Sequence, residues 1–216
     1  MAVATSIITS QYHFPNTPPS ASVRRWTQMD LGDPEIKKLN YFIETERLRL
    51  LPWTETDRRD FERLATDPQV VRFITGGTPY TADRIDKFLE RQIRQQEQFG
   101  YSLWRIVVKD TGEFAGFCGL QPIAETGEPE IGWWLLPEHW KKGIATEAGQ
   151  AALDWGFRVS QMPIVVAVCN PANVASLAVM RRLGMQADGE MVYRGQKCAR
   201  YVIRRDQWFS DGGCQN

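Results

Sequence analysis

Histidine is almost missing from this chain: His13 and His139 are the only two among 216 residues. A His-rich metal site is therefore not expected, and neither H-E-x-x-H nor a Cys/His cluster occurs. Cysteine is scarce as well. Cys118, Cys169, Cys198 and Cys214 form no C-x-x-C pair, and Cys118 and Cys169 fall in apolar, strand-like runs. Buried free thiols in a reducing cytoplasm are the expectation. Net charge is lacking too. The 26 Lys and Arg balance 26 Asp and Glu, so bulk electrostatics calls for neither nucleic acid nor a membrane as partner. No apolar run approaches the length of a membrane span. The opening "MAVATSIITSQYHF" has no basic n-region and only a short apolar stretch, so no signal peptide is expected. Common nucleotide and hydrolase signatures are absent: there is no G-x-x-x-x-G-K-S/T, no G-x-G-x-x-G and no G-x-S-x-G.

What remains is a globular composition, with 43% hydrophobic residues, 24% charged residues and eight Trp. The length suits one domain with a real core. Residues 1–40, including "FPNTPPSAS", hold no periodicity and read as an N-terminal arm. Residues 41–210 read as the domain and 211–216 as a tail. An arm that long is sufficient to cross a homodimer partner.

The domain opens with a strand around "RLRLLPW", where Leu48, Leu50 and Pro52 alternate with Arg47, Arg49 and Leu51. Two helices follow. "TDRRDFERLATD" places Phe61, Leu64 and Ala65 on one face; "TADRIDKFLERQIRQQEQFG" has Thr81 as N-cap, an Ile85/Phe88/Leu89/Ile93 stripe, and Gly100 at its end. The period then changes. "YSLWRIVVK", "FAGFCGLQPI" and "EPEIGWWLL" read as an antiparallel meander. A helix from about Ile144, a buried strand "PIVVAV", a helix from "NPANVASLAVMRRLG" and two closing strands, "MQADGEMVY" and "KCARYVIRRDQW", complete the order. Asn170 is read as the N-cap of that second helix, Pro171 as its first residue and Gly184 as its stop. The pattern is mixed α/β; a doubly wound sheet would need regular βα alternation.

Two stretches carry chemistry. In "PEHWKKGIATEAGQAALDWGFR" a short basic turn meets a helix start. Helix N-termini leave backbone N–H groups without partners and carry partial positive charge. Gly143 permits close backbone approach, Ala145 is small, and Lys141 and Lys142 add charge. The turn is either a tight corner into a packed helix or a cradle for phosphate. Past it, Glu147, Gln150, Asp154 and Arg158 form a polar stripe, opposite Ala148, Ala152, Trp155 and Val159. In the second stretch Asn173 and Ser176 share one helix side; on their own they read as solvated or capping groups.

Together, "EIGWWLLPEHWKKGIATEAGQAALDWGF" and "CNPANVASLAVMRRLGM" resemble the GNAT superfamily of acetyl-CoA-dependent N-acetyltransferases, and most closely its RimJ/RimL-like branch. The likeness runs from about Glu44 to Trp208. The family's Q/R-x-x-G-x-G/A motif falls on Trp140, Lys141, Lys142, Gly143, Ile144 and Ala145, with Trp140 departing from the usual Gln or Arg. The resemblance implies a mixed, mostly antiparallel sheet of six to seven strands, flanked by about four helices and splayed between its fourth and fifth strands.

It also implies roles. The backbone of Lys141, Lys142, Gly143, Ile144, Ala145 and Thr146 would hold the coenzyme A pyrophosphate. Leu135 and Leu136 would pair with the pantetheine arm, a backbone N–H there would polarise the thioester carbonyl, and Asn173 would position the pantetheine. Ser176 would protonate the leaving thiolate, since no Tyr occurs between Trp104 and Met191. Acetyl-CoA would be the co-substrate, with no metal. Three bases stay open: Glu130, its pKa raised beside Trp rings; His139; or a water chain to solvent. The acceptor would be a small-molecule amine or a protein N-terminus, held by residues 67–100 and the final hairpin. Arg194, Lys197, Arg200, Arg204 and Arg205 make that hairpin basic. A coenzyme-A-binding module without catalysis is the alternative class.

Overall fold

Alternation and turn chemistry translate directly into a sheet. The computed structural model describes residues 26–28 and 41–210. In chain order these form β1 (Trp26–Gln28), β2 (Tyr41–Glu44), β3 (Leu48–Leu51), α1 (Arg58–Thr66), α2 (Pro68–Val71), α3 (Ala82–Phe99), β4 (Leu103–Val108), β5 (Phe114–Pro122), β6 (Pro129–Leu135), α4 (Ile144–Arg158), β7 (Ile164–Cys169), α5 (Val174–Arg182), β8 (Gln186–Tyr193), β9 (Gln196–Arg204) and α6 (Arg205–Ser210). The strands make one sheet in the order β1-β2-β3-β4-β5-β6-β7-β9-β8. Every neighbour is antiparallel except β6 and β7. No helix among the described residues is long and apolar enough to cross a membrane.

The expected splay falls between β6 and β7. They are parallel and in register at one pair, Glu130 with Val166, whereas β7 and β9 hold six pairs from Ile164/Arg204 to Cys169/Ala199. The strand count exceeds the expected six to seven. β1 and β2 arise in stretches that carry no readable periodicity, and β1 lies within the segment read as an arm. The remainder of residues 1–40, the tail 211–216 and Cys214 lie outside the described residues.

Each face of the sheet buries its own core. On one face α4 and α5 cover Leu48, Leu50, Trp104, Ile106, Cys118 and Leu120. On the other, α1 and α3 cover Leu103 and Phe117 with Trp53, Phe61 and Phe88. The adjacent Trp133 and Trp134 pack against opposite cores, as strand alternation requires. α3 begins where expected: the Thr81 hydroxyl accepts the Arg84 N–H, and Gly100 closes the helix at φ 74°. Three glutamines fix it to the sheet. Gln92 accepts the Leu103 N–H at 3.0 Å, Gln95 donates to the Leu120 carbonyl at 2.8 Å, and Gln96 accepts the Trp104 indole N–H at 2.9 Å.

Two local expectations change. Asn170 does not cap α5. Its side chain accepts the Ala172 N–H at 2.9 Å and closes a turn, so the helix starts at Val174 under an Asn173 cap. The final strand stops at Arg204 and gives way to α6. The polar stripe of α4 is exposed at Gln150 and buried at Asp154. Asp154 is 5% exposed and accepts from Arg158 at 2.6 Å and from the Trp208 indole at 3.3 Å.

Glu147, in the first turn of α4, binds the edge leading into β3. It accepts the Arg47 N–H at 3.0 Å and the Arg47 Nε–H at 2.6 Å, and it also accepts from the Thr45 hydroxyl. Burial pushes its pKa up, but these donors outweigh burial and the net shift is downward. A depressed carboxyl pKa contributes stability that is present above the unfolded value and lost as pH falls through the folded one. Glu147→Ala should cost about 2 kcal/mol at neutral pH. In urea melts the gap from the parent should close as pH drops below the ordinary glutamate pKa.

Candidate active site

Parting of β6 and β7 leaves a groove of about 650 Å³. Its wall on one side is the end of β6, the turn 137–143 and the first turn of α4. β7 and α5 form the opposite wall. Its far end is closed by α2, α3 and the β8–β9 turn.

The turn into α4 is wound tightly. Pro137–His139 makes one 3₁₀ turn. Lys141 follows at φ 58° and Gly143 at φ 79°. A left-handed lysine is uncommon and costs energy, whereas glycine takes this conformation freely. A Cβ on Gly143 would also come within 3.3 Å of the Arg47 guanidinium. Arg47 donates to the Lys142 carbonyl at 3.0 Å, so the turn is tied to the strand beneath it. Gly143 offers α4 no side-chain cap. The first-turn N–H groups of Ile144, Ala145 and Thr146 therefore keep their capacity for an anion. Those three residues, Lys141 and Gly143 line the groove; Lys142 does not.

At the end of β6, Leu135 lines the groove and Leu136 does not. Leu136 is 2% exposed and donates its N–H to the Ala115 carbonyl at 2.9 Å. By strand alternation the N–H groups of Leu135 and Trp133 then face the other edge, from which β7 has turned away. The Leu135 carbonyl accepts the Trp140 indole N–H at 2.7 Å.

Glu130 stands where the two strands part and is 5% exposed. One carboxylate oxygen accepts from the Gln121 amide at 2.9 Å and from the Tyr193 hydroxyl at 3.0 Å. Burial raises its pKa. These two bonds, then Arg194 and Arg91, pull it down without cancelling the rise. The partners differ from expectation: Gln121 and Tyr193, and not Trp rings, hold the carboxylate. Gln121 was within reach of sequence reasoning, because it sits directly across the β5–β6 hairpin. Tyr193 had no local signal.

Asn173 and Ser176 both line the groove. The Asn173 side chain accepts the Ser176 N–H at 3.1 Å, which caps α5 and fixes both residues at its mouth. His139 is 6% exposed, and burial lowers its pKa. Cys169 and Cys198 also line the groove. Burial pushes the Cys169 thiol up to about 11 and raises Cys198 as well. A raised thiol pKa makes the nucleophilic thiolate scarcer at both positions. Cys118 lies in the core with its pKa raised by burial.

Residues 47–186 match the family model described as an acetyltransferase (GNAT) domain. The chain belongs to the GNAT acetyltransferase family. It is 32% identical over 149 residues to the N-acetyltransferase p20 of Bacillus licheniformis, covering 68% of this chain and 83% of that one. The acetyltransferase structure from Agrobacterium tumefaciens superposes with a TM-score of 0.67 at 27% identity, over 76% of this chain and 94% of that chain. RimL, a ribosomal-protein alpha-N-acetyltransferase in complex with coenzyme A, shares the fold at a TM-score of 0.64 and 21% identity, covering 77% and 99%. The protein is an N-acetyltransferase with the GNAT fold.

The Glu130 environment yields a test. Tyr193→Phe removes a hydrogen bond that favours the ionised carboxylate, so the Glu130 pKa should move further up. NMR titration of that carboxyl checks the direction, and an unchanged or lower value would contradict the geometry.

Proposed function

We propose that this N-acetyltransferase transfers acetyl from acetyl-CoA directly to a primary amine of a small molecule or a protein N-terminus. We also propose that it belongs to the RimJ/RimL-like branch and works in the cytoplasm. The single observation that carries the reading is that one groove joins an uncapped helix start, an open strand edge and a buried carboxylate. Free Cys118, Cys169 and Cys198 fit a reducing compartment. Trp140 in the cofactor motif and the opening "IETERLRLLPW" support the branch.

In this reading the N–H groups of Gly143, Ile144, Ala145 and Thr146 bind the pyrophosphate, with Lys141 adding charge at the mouth. Arg47 braces the turn from behind through the Lys142 carbonyl. The edge of β6 from Trp133 to Leu135 hydrogen-bonds the pantetheine arm as an added strand. Leu136 supports that edge from the sheet side, since its own amide is already bonded. Asn173 sets the start of α5 and orients Ser176.

Glu130 is the base. Its carboxylate takes the proton of the acceptor ammonium, and its raised pKa brings the two affinities closer together. The free amine nitrogen forms its bond to the thioester carbon. A β6-edge N–H steadies the oxyanion. As the carbon–sulfur bond breaks, Ser176 donates its hydroxyl proton to the thiolate and regains one from the attacking nitrogen, which bond formation has left positively charged; the neutral amide and the coenzyme A thiol leave, and Glu130 returns its proton to water. His139 is less suited, because it belongs to the 3₁₀ turn that leads into the phosphate-binding helix start and not to the place where β6 and β7 part.

Acetyl-CoA should raise the melting temperature of the parent protein by linkage. Gly143→Val should abolish that shift, and Lys141→Ala should reduce it only modestly. If acetyl-CoA does not stabilise the parent, the reading fails. Coenzyme A release across an amine and peptide panel tests the chemistry. Glu130→Gln should slow it about 100-fold or more and erase the loss of rate at low pH that tracks protonation of Glu130. Ser176→Ala should slow it about 10-fold through the thiolate step. Parent-like rates for both variants would remove these assignments.

A further inference from the structure

The groove carries more positive charge than acetyl transfer uses. Six Lys and Arg side chains line it, against one carboxylate, Glu130. Lys141 belongs to the phosphate turn and Arg182 is the last residue of α5. The other four, Arg84, Lys87, Arg91 and Arg194, gather at the opposite end, on α3 and in the β8–β9 turn. Lys87 is neutralised by Asp83 at 2.8 Å. Among the described residues, Arg84, Arg91 and Arg194 form no ion pair.

These guanidiniums are held in place by rings. Arg84 lies 3.6 Å over Tyr80, Arg91 5.6 Å over Phe88, and Arg194 5.1 Å over Tyr193. Tyr80 in turn meets Trp134 of β6 edge-on at 5.6 Å, and Tyr193 bonds Glu130. Arg84 and Arg91 stand seven residues apart, on one stripe of α3. Loss of surrounding water and then the like charge of Arg194 lower the pKa of Arg91. All three residues are exposed, and Arg91 and Arg194 are near enough to act on the Glu130 carboxyl without pairing with it; guanidiniums outside any ion pair are available to an anion, and their planar fork matches a carboxylate bidentately. The rest of the final hairpin shows the contrast. Lys197 pairs with Glu190 and Arg200 with Glu128 and Asp188.

We propose that the acceptor is an amine whose own molecule carries a carboxylate, with its ammonium directed to Glu130 and its carboxylate to Arg84, Arg91 and Arg194. This rests on the acetyl-transfer reading. Glu130 alone would favour any cation, but the three guanidiniums turn that preference against polyamines, whose every nitrogen is positive, and toward zwitterions. The carboxylate can belong to a free amino acid or to an acidic residue near a peptide N-terminus.

The test uses the full chain saturated with coenzyme A, titrated by calorimetry and then assayed for turnover with acetyl-CoA. Probes come in matched pairs: lysine against cadaverine, phenylalanine against phenethylamine, and a short acidic-N-terminal peptide against its basic counterpart. The carboxylate-bearing member should bind at least about 10-fold more tightly. A preference in the first two pairs marks a free amino acid, and a preference in the peptide pair alone marks an N-terminus. Arg91→Gln with Arg194→Gln should remove the preference while changing the acetyl-CoA KM less than about 2-fold. Equal or tighter binding of the carboxylate-poor member in all three pairs overturns the proposal. So does a preference that persists while the acetyl-CoA KM rises, because the guanidiniums would then serve the coenzyme A phosphates. Failure of acetyl-CoA to stabilise the parent overturns the acetyl-transfer reading and this proposal with it. Retained stabilisation without a carboxylate preference overturns this proposal alone.

Discussion

β6 and β7 are parallel and meet in register only at Glu130 and Val166. Much of the site follows from that constraint. Parallel neighbours need a crossover, here α4, and a crossover helix must begin where the first strand ends. The start of α4 therefore lies at the open end of the split. Because β7 leaves, the β6 edge keeps unpaired N–H groups. Glu130 sits at the vertex, deep enough to be buried and still facing the space the split creates. Uncapped helix start, strand edge and carboxylate are thus consequences of one local failure to pair.

The vertex explains the electrostatics as well. A carboxylate this buried would be costly if it had no partners. Gln121 supplies one donor from the neighbouring strand, and Tyr193 supplies another from the end of β8. Neither carries a full charge, so the carboxyl keeps a raised pKa and is not locked in an ion pair. The arginines stand in a second layer, felt by Glu130 but not bonded to it.

Legibility in the sequence divided along the same lines. Local signals were reliable: the Thr81 cap, Gly100, and the meander with its turns all came from period and turn residues. The splay did not come from periodicity; it came with the family resemblance. Pairings distant in sequence were invisible. Tyr193 and Glu130 are 63 positions apart, and nothing in "VYRG" announces a bond to a strand end. Polar residues on helices carried no signal of their partners. Gln92, Gln95 and Gln96 satisfy sheet groups, and Asp154 is buried under Arg158 and Trp208. Asn170 and Asn173 both suit an N-cap. Only the turn closed by Asn170 decides that Asn173 takes the role.

Trp140 gains a physical meaning from this geometry. In the resemblance it is a departure, a large indole where the family motif usually has Gln or Arg. In the fold it donates its one N–H to the Leu135 carbonyl. That bond satisfies a carbonyl the departing strand would otherwise leave open, and it ties the phosphate turn to the strand edge. A glutamine could also donate there, but its flexible side chain would hold the turn less firmly than a rigid ring. The left-handed Lys141 next to it carries strain. Such strain persists only where neighbours determine the backbone, and two do: the indole bond on one side and the Arg47 bond to the Lys142 carbonyl on the other. The turn is thus shaped by the protein itself, and a preformed shape lowers the ordering cost of any ligand it meets. The conformation comes from the groups that bind the turn's backbone, and of the two lysine side chains only that of Lys141 borders the groove.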